Sequence, residues 1–257
     1  MLLTFDVEPF WADIPTQHDR TCWQDYTDQS ASHTIKFLEF CIQKKLGCSF
    51  FIVGAWAERN EKVVRRISDA GYSIGSHSMW HEDMALKDRS SFIADVVQSK
   101  TILENIIGKE VNSFRAPSFS LRPWQLDLLP DIGIQHDSSI THSQRIHGGN
   151  IREFKPTENL TEHPFKGLRV LNSELTILGG GYLRLIPPSL IKLSSRVNFG
   201  NMIYLHPHDL PTHLNLSRFK HMTRANKFRK TIRNGSMYEK LITLDKIQKL
   251  KGLPDVS

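Results

Sequence analysis

His77 and His81 stand four residues apart, a spacing that can put two imidazoles one turn apart on a single helical face, within reach of one metal ion. Asp6 and Glu8 stand two apart near the N-terminus and supply carboxylates. Two histidines with one carboxylate are a common catalytic zinc set that leaves a coordination position for water. Either carboxylate can ligate while the other takes a proton as general base. His206 closes the apolar run Met202–Leu205. Its side-chain type suits proton donation near neutral pH. His208, two residues on, could be the acid instead; strand alternation lets only one of the pair point inward. Arg115 and Asp137 are two more ionisable residues beside apolar runs. The chemistry in sight is metal-assisted hydrolysis.

Residues so far apart need a fold to gather them. Short apolar runs at 2–5, 48–53, 72–74, 113–115, 134–136, 168–171 and 202–205 read as buried strands. Between them, apolar residues recur at helical spacing. Ile35, Leu38, Ile42 and Leu46 make one stripe; Val63, Val64, Ile67 and Ala70 make another, ended by Gly71. Phe92, Val96, Val97, Leu103, Ile106 and Ile107 make a third, ended by Gly108. Trp124, Leu128, Leu129 and Ile132 follow Pro123, and Leu190, Leu193 and Val197 follow Pro187 and Pro188. Met237, Leu241, Leu244, Ile247 and Leu250 form the last stripe.

Strand–helix alternation of this kind predicts an α/β fold with a parallel sheet and covering helices. No glycine-rich turn follows the first strand, which favours a closed barrel over an open doubly wound sheet. In a barrel every C-terminal strand end opens on one face, and Asp6, Glu8, His77, His81, Arg115, Asp137 and His206 all sit at such ends. No linker divides the chain, so residues 1–257 are expected to form one domain.

Two motifs invite misreading. Gly71, Ser73 and Gly75 match a nucleophile elbow, but the order here is helix then strand, the reverse of what that elbow requires. Gly179, Gly180 and Gly181 lack the Lys-Ser/Thr of a phosphate loop and are expected to mark a close backbone approach.

Composition bounds the rest. The chain has 257 residues and 39% apolar content, enough for a sizeable core. No apolar run is long enough to span a membrane, and no secretory leader pattern opens the chain. Cys22, Cys41 and Cys48 lack metal-type spacing, which suits a reducing compartment. A cytoplasmic protein is expected. The net charge of +6 is too modest to suggest nucleic acid. It is also local: Arg218, Lys220, Arg224, Lys227, Arg229, Lys230 and Arg233 fall in one segment, 218–233, with no acidic residue among them. Interleaved with Phe219, Met222 and Phe228, they suit peripheral contact with an anionic membrane surface, at the inner face of the cytoplasmic membrane.

Thr4-Phe5-Asp6, His77-Ser78-x-x-His81, Arg115-x-Pro117 and Leu205-His206, in that order across most of the chain, resemble the polysaccharide deacetylases, also called the NodB-homology or carbohydrate esterase 4 family. Asp137-Ser138-Ser139 and the run from Gly179 to Arg184 are similar to the members associated with exopolysaccharide and O-antigen loci. The resemblance implies a distorted (β/α)7 barrel and a divalent metal, usually zinc. It implies removal of an N-acetyl group from an amino sugar of a cell-surface glycan or its lipid-linked precursor. It implies Asp6 as base, with Glu8, His77 and His81 as metal ligands. Arg115 would orient the base, the backbone at Ser118 would donate to an oxyanion, and His206 would protonate the leaving amine. Asp137 would fill the role of a fourth-motif aspartate that partners His206. Tyr182 and Arg184 would meet the substrate. One departure stands out: the family's first motif pairs two adjacent aspartates, and the second is Val7 here. A sugar deformylase on the same scaffold and a non-catalytic carbohydrate-binding protein are the competing readings.

Overall fold

The structure, a computed structural model, describes residues 1–9, 29–140, 159–165, 168–170, 173–175, 179–193, 201–210 and 234–253. In chain order the elements are β1 (Leu2–Val7), α1 (Ser30–Lys44), β2 (Ser49–Ile52), α2 (Gly54–Arg59), α3 (Glu61–Asp69), β3 (Ser73–Ser76), α4 (Arg89–Ile107) and β4 (Ser113–Phe114). Then come α5 (Pro123–Leu126), β5 (His136–Asp137), β6 (Thr161–Glu162), β7 (Leu168–Val170), β8 (Ser173–Leu175), α6 (Gly180–Leu183), α7 (Pro188–Leu193), β9 (Met202–Leu205) and α8 (Met237–Gln248). The basic segment 218–233 and Cys22 lie outside the described residues.

Seven strands form one sheet in the order β6-β5-β4-β3-β2-β1-β9, and every pairing in it is parallel. The sheet is curled. β4 and β1 are three steps apart, and each step is about 4.8 Å in a flat sheet. Yet Arg115, directly after β4, reaches Asp6 on β1 at 2.7 Å. The two edges also approach each other through side chains: Ser138 Oγ lies 3.5 Å from Met202 Sδ, and Asn201 Nδ2 donates to the Pro164 carbonyl at 2.9 Å. This is the distorted (β/α)7 barrel expected from the sequence.

β1 shows how alternation sorts the layers. Leu3, Phe5 and Val7 belong to the hydrophobic core, where Phe5 stacks on Phe37 of α1 at 4.2 Å. Thr4 and Asp6 point to the opposite, barrel side. Val7, where the family's second aspartate would stand, is buried in that core, and the next carboxylate is Glu8. Gly108, at φ 68°, ends α4 in the left-handed conformation that glycine adopts without steric cost.

Two expectations need correction. The run at 168–171 is no barrel strand: β7 pairs antiparallel with β8 in a separate two-stranded ribbon. The sixth barrel strand is β6, two residues long, which carries too little hydrophobic pattern to be read. The stripe after Pro123 forms one short helix, α5, followed by a 3₁₀ turn at Pro130–Ile132, because Pro130 cannot donate within a continuing helix.

Candidate active site

His77 and His81 are not on a helix. They lie in a loop after β3 in which Ser78 and His81 take left-handed backbone, at φ 64° and 56°. Such conformations cost of order 1–3 kcal/mol for non-glycine residues and persist when contacts over-determine them. Those contacts are present. The first amides of α2, Gly54 N–H and Ala55 N–H, donate to the carbonyls of Ser78 and Met79 at 3.0 Å each. Asp95 of α4 accepts from Met79 N–H at 2.7 Å, and Ser78 Oγ accepts from His81 N–H at 2.9 Å.

The loop delivers both rings to Glu8. His81 Nε2 lies 2.6 Å from Glu8 Oε2, and the two imidazoles are 5.2 Å apart. One donor atom from each of Glu8, His77 and His81 lies within 4.8 Å of the others, and all three residues are buried. His77 Nδ1 lies 2.8 Å from the Arg115 carbonyl. A carbonyl only accepts, so Nδ1 carries the proton and Nε2 keeps its lone pair. Burial, reinforced by His81, presses the His77 pKa down to about 3 and keeps the ring neutral. A buried carboxylate with two buried imidazoles is a donor set that fits a divalent metal, zinc first among them.

Asp6 is anchored separately. Arg115 is fully buried and donates through Nη1 to Asp6 Oδ1 and Thr4 Oγ1, each at 2.7 Å. Its Nε and Nη2 donate to the Ser138 carbonyl at 3.1 Å and Ser138 Oγ at 2.8 Å, and its guanidinium sits 4.3 Å from the Phe51 ring centre. On the other side of Asp6, His206 Nε2 stands 4.0 Å from Oδ2. His208 stacks behind His206 at 4.9 Å. Burial works against protonation of His206, but the carboxylates of Glu8, Asp209 and Asp6 outweigh it and hold its pKa up to about 9.

Asp137 does not partner His206. Its carboxylate accepts from Ser139 N–H at 2.9 Å and Ser139 Oγ at 2.7 Å, and Ser139 Oγ in turn accepts from Ala116 N–H at 2.8 Å. Burial pushes Asp137 up, and burial with the neighbouring Asp137 pushes Glu162 well up. Two buried carboxyl groups in contact cannot both ionise. Their effect is to hold the strand ends that carry Arg115 and the turn at Pro117–Phe119. In that turn Ser118 is exposed, with φ 54°. The Phe119 and Ser120 amides are spent on Ala116 and Pro117, whereas the Ser118 amide has no partner among the described residues.

The partner of His206 is Asp209, which the sequence reading missed. Asp209 Oδ2 lies 2.9 Å from both the backbone N and Nδ1 of His206. A signal was there: Pro207 at the first position of a turn and an acid at the third mark a capping box. Burial opposes ionisation of Asp209, but His208, His206 and Arg184 override it and hold the carboxyl well below its usual range. Arg184 is not presented to a substrate. It is 4% exposed and its Nε pairs with Asp209 Oδ1 at 3.1 Å. Tyr182 is 58% exposed. The three glycines do mark a close approach: a Cβ on Gly179 would overlap the Tyr204 hydroxyl, and one on Gly180 would overlap the Asp209 carboxylate.

The fold is that of the family 4 carbohydrate esterases. Residues 1–135, more than half of the chain, match the model of the polysaccharide deacetylase family, and the chain belongs to it. Residues 132–250 match a domain of unknown function, DUF3473, and that stretch contributes β5, β6 and β9 to the same sheet. The chain is 29% identical to a chitin deacetylase of Pestalotiopsis over 111 residues, which are 42% of this chain and 37% of that one. It spans less than half the length of the curated relatives it matches. Among solved structures, a family 4 carbohydrate esterase from Streptomyces lividans in complex with acetate superposes with a TM-score of 0.55 at 16% identity, over 100% of this chain and 92% of its own. A family 4 pseudoenzyme from Bacillus anthracis does so at 0.56 and 13%, over 98% and 63%. These two likenesses show the fold alone. Among the described residues, no helix is long and apolar enough to cross a membrane.

Proposed function

We propose that this chain is a metal-dependent carbohydrate de-N-acetylase acting on an N-acetylated amino sugar. One observation carries the reading. Asp6 stands between Arg115 at 2.7 Å and His206 at 4.0 Å, beside the buried Glu8–His77–His81 group.

A divalent metal held by Glu8, His77 and His81 would supply Lewis acidity, lowering the pKa of water and polarising a carbonyl. Asp6, held in place by its 2.7 Å ion pair with Arg115, accepts the proton of the attacking water. The Ser118 amide faces the oxygen where negative charge develops; one such donor is typically worth about 10²–10³ in rate. His206, protonated at neutral pH, delivers its proton to the leaving nitrogen as the C–N bond breaks. Acetate and a free amino sugar result. Tyr182, exposed on α6 beside β9, offers an aromatic face to a sugar ring.

The motif likeness to exopolysaccharide and O-antigen proteins supports a surface glycan or its lipid-linked precursor as substrate. The basic segment 218–233 supports capture of that precursor at an anionic membrane surface, from the cytoplasmic side. Flotation with anionic vesicles but not with neutral ones is the expected result; absence from both fractions overturns the membrane contact. Mass spectrometry of N-acetylglucosamine oligomers and of lipid-linked saccharides, before and after incubation with the zinc-loaded protein, tests the reaction itself. Loss of an acetyl group is expected. Loss of a formyl group instead identifies a deformylase, and no loss from any saccharide favours a carbohydrate-binding protein.

A further inference from the structure

Asp209, the partner of His206, is itself contacted by a segment distant in sequence from the base and the metal ligands. Its Oδ2 serves the backbone N and Nδ1 of His206 at 2.9 Å each. Its Oδ1 faces Arg184 Nε at 3.1 Å and His208 Nε2 at 3.9 Å. Two features bear on where this carboxylate sits, an ion pair on Oδ1 and a glycine against Oδ2. Arg184 draws Oδ1 to one side. Gly180 leaves room for Oδ2 where any larger residue would push the carboxylate away. The segment that carries both is itself fastened. Gly179 bridges to Tyr204 of β9, and the Leu183 and Arg184 amides return to the carbonyls of Gly179 and Gly180 at 2.8 and 3.1 Å. Lys240 of α8, almost fully buried, donates through Nζ to the Leu183 and Arg184 carbonyls at 2.9 Å each.

We propose that Gly180 and Arg184 form a clamp on Asp209 that positions the catalytic acid His206. Both are positioning residues; neither touches the reacting atoms. The inference rests on the reading of His206 as acid. It also places the support of the acid, like the acid itself, in the second half of the chain, whereas the base and the metal ligands come from the first half.

Gly180 makes the test sharp. Its backbone is helical, so alanine fits there conformationally, and the three nearest atoms that an added Cβ would meet all belong to the Asp209 carboxylate. At Gly181, one residue on, the nearest atom to an added Cβ is 3.8 Å away, which makes G181A the control. The full-length, zinc-loaded protein and its G180A, G181A, R184M and R184K variants are compared in acetate release from N-acetylglucosamine oligomers. The same proteins, labelled with ¹⁵N-histidine, report the His206 Nδ1–H resonance, assigned by its loss in H206A. G180A and R184M are expected to lower kcat by about 10- to 100-fold, part of the roughly 10²–10⁴ that a positioned acid supplies, with KM within about twofold. Both should shift or lose the downfield Nδ1–H signal. G181A should match the wild type, and R184K, which keeps the charge, should recover part of the rate. Wild-type kcat and an unmoved signal in both G180A and R184M overturn the clamp. Should G180A fail to fold, R184M against R184K decides by the same signal. A wild-type protein that releases no acetate defeats the reading of the site, and the resonance comparison still decides the clamp.

Discussion

Asp6→Asn is expected to abolish acetate release while leaving bound zinc unchanged. The carboxylate lies against Arg115 at 2.7 Å and is not one of the three clustered donors, so the amide removes a base and not a ligand. Loss of a positioned general base typically costs about 10²–10⁴ in rate. The variant carries a second, separable effect. Arg115 is fully buried, and removing one partner of a buried ion pair costs about 3–5 kcal/mol when nothing replaces it. Here the amide oxygen still accepts, and Thr4 and Ser138 still take guanidinium hydrogens, so the loss of stability should fall below that range. The measurements are kcat, zinc content per chain and the unfolding midpoint. Wild-type turnover in Asp6→Asn would show that the base is elsewhere, with Glu8 the first candidate.

His77→Ala should give the complementary pattern. It removes an imidazole held neutral by burial, whose Nδ1 is fixed by the Arg115 carbonyl at 2.8 Å. Disturbing even a partner of a metal ligand typically costs about 10–100-fold in affinity or activity, and deleting the ligand itself should cost more. Zinc content and acetate release are expected to fall together. Chelation of the wild type should reproduce the loss of activity, and added zinc should restore it there and not in His77→Ala. Undiminished zinc in the variant would remove His77 from the ligand set. The two substitutions separate base from metal: one loses rate with metal retained, the other loses both.

Much of this site was legible because local chemistry speaks through short periods. Asp6 and Glu8 share a side because strand residues two apart do, and Val7 between them joins the core for the same reason. Capping glycines and strand-end ionisable residues were equally visible. The helical reading of His77 and His81 failed for a related cause. Four-residue spacing is compatible with a helix, but here the contacts from α2 and α4 impose a loop with left-handed residues. β6 escaped notice because two residues carry no period, and the run at 168–171 misled because an apolar run does not say which sheet it joins.

By itself, the sequence determined the alternation of strands and helices, the strand ends at which ionisable residues would gather, and the residue types available to hold a metal and move protons. The tertiary structure alone decided which groups meet. Arg115 reaches Asp6 across 109 positions of chain, Asp209 rather than Asp137 takes His206, and Arg184 turns inward to Asp209. The reason is physical. Periodicity records which side of an element is buried, whereas partnership depends on sheet curvature and on which buried charge lacks a counter-charge. Neither quantity exists until the strands have closed around the site.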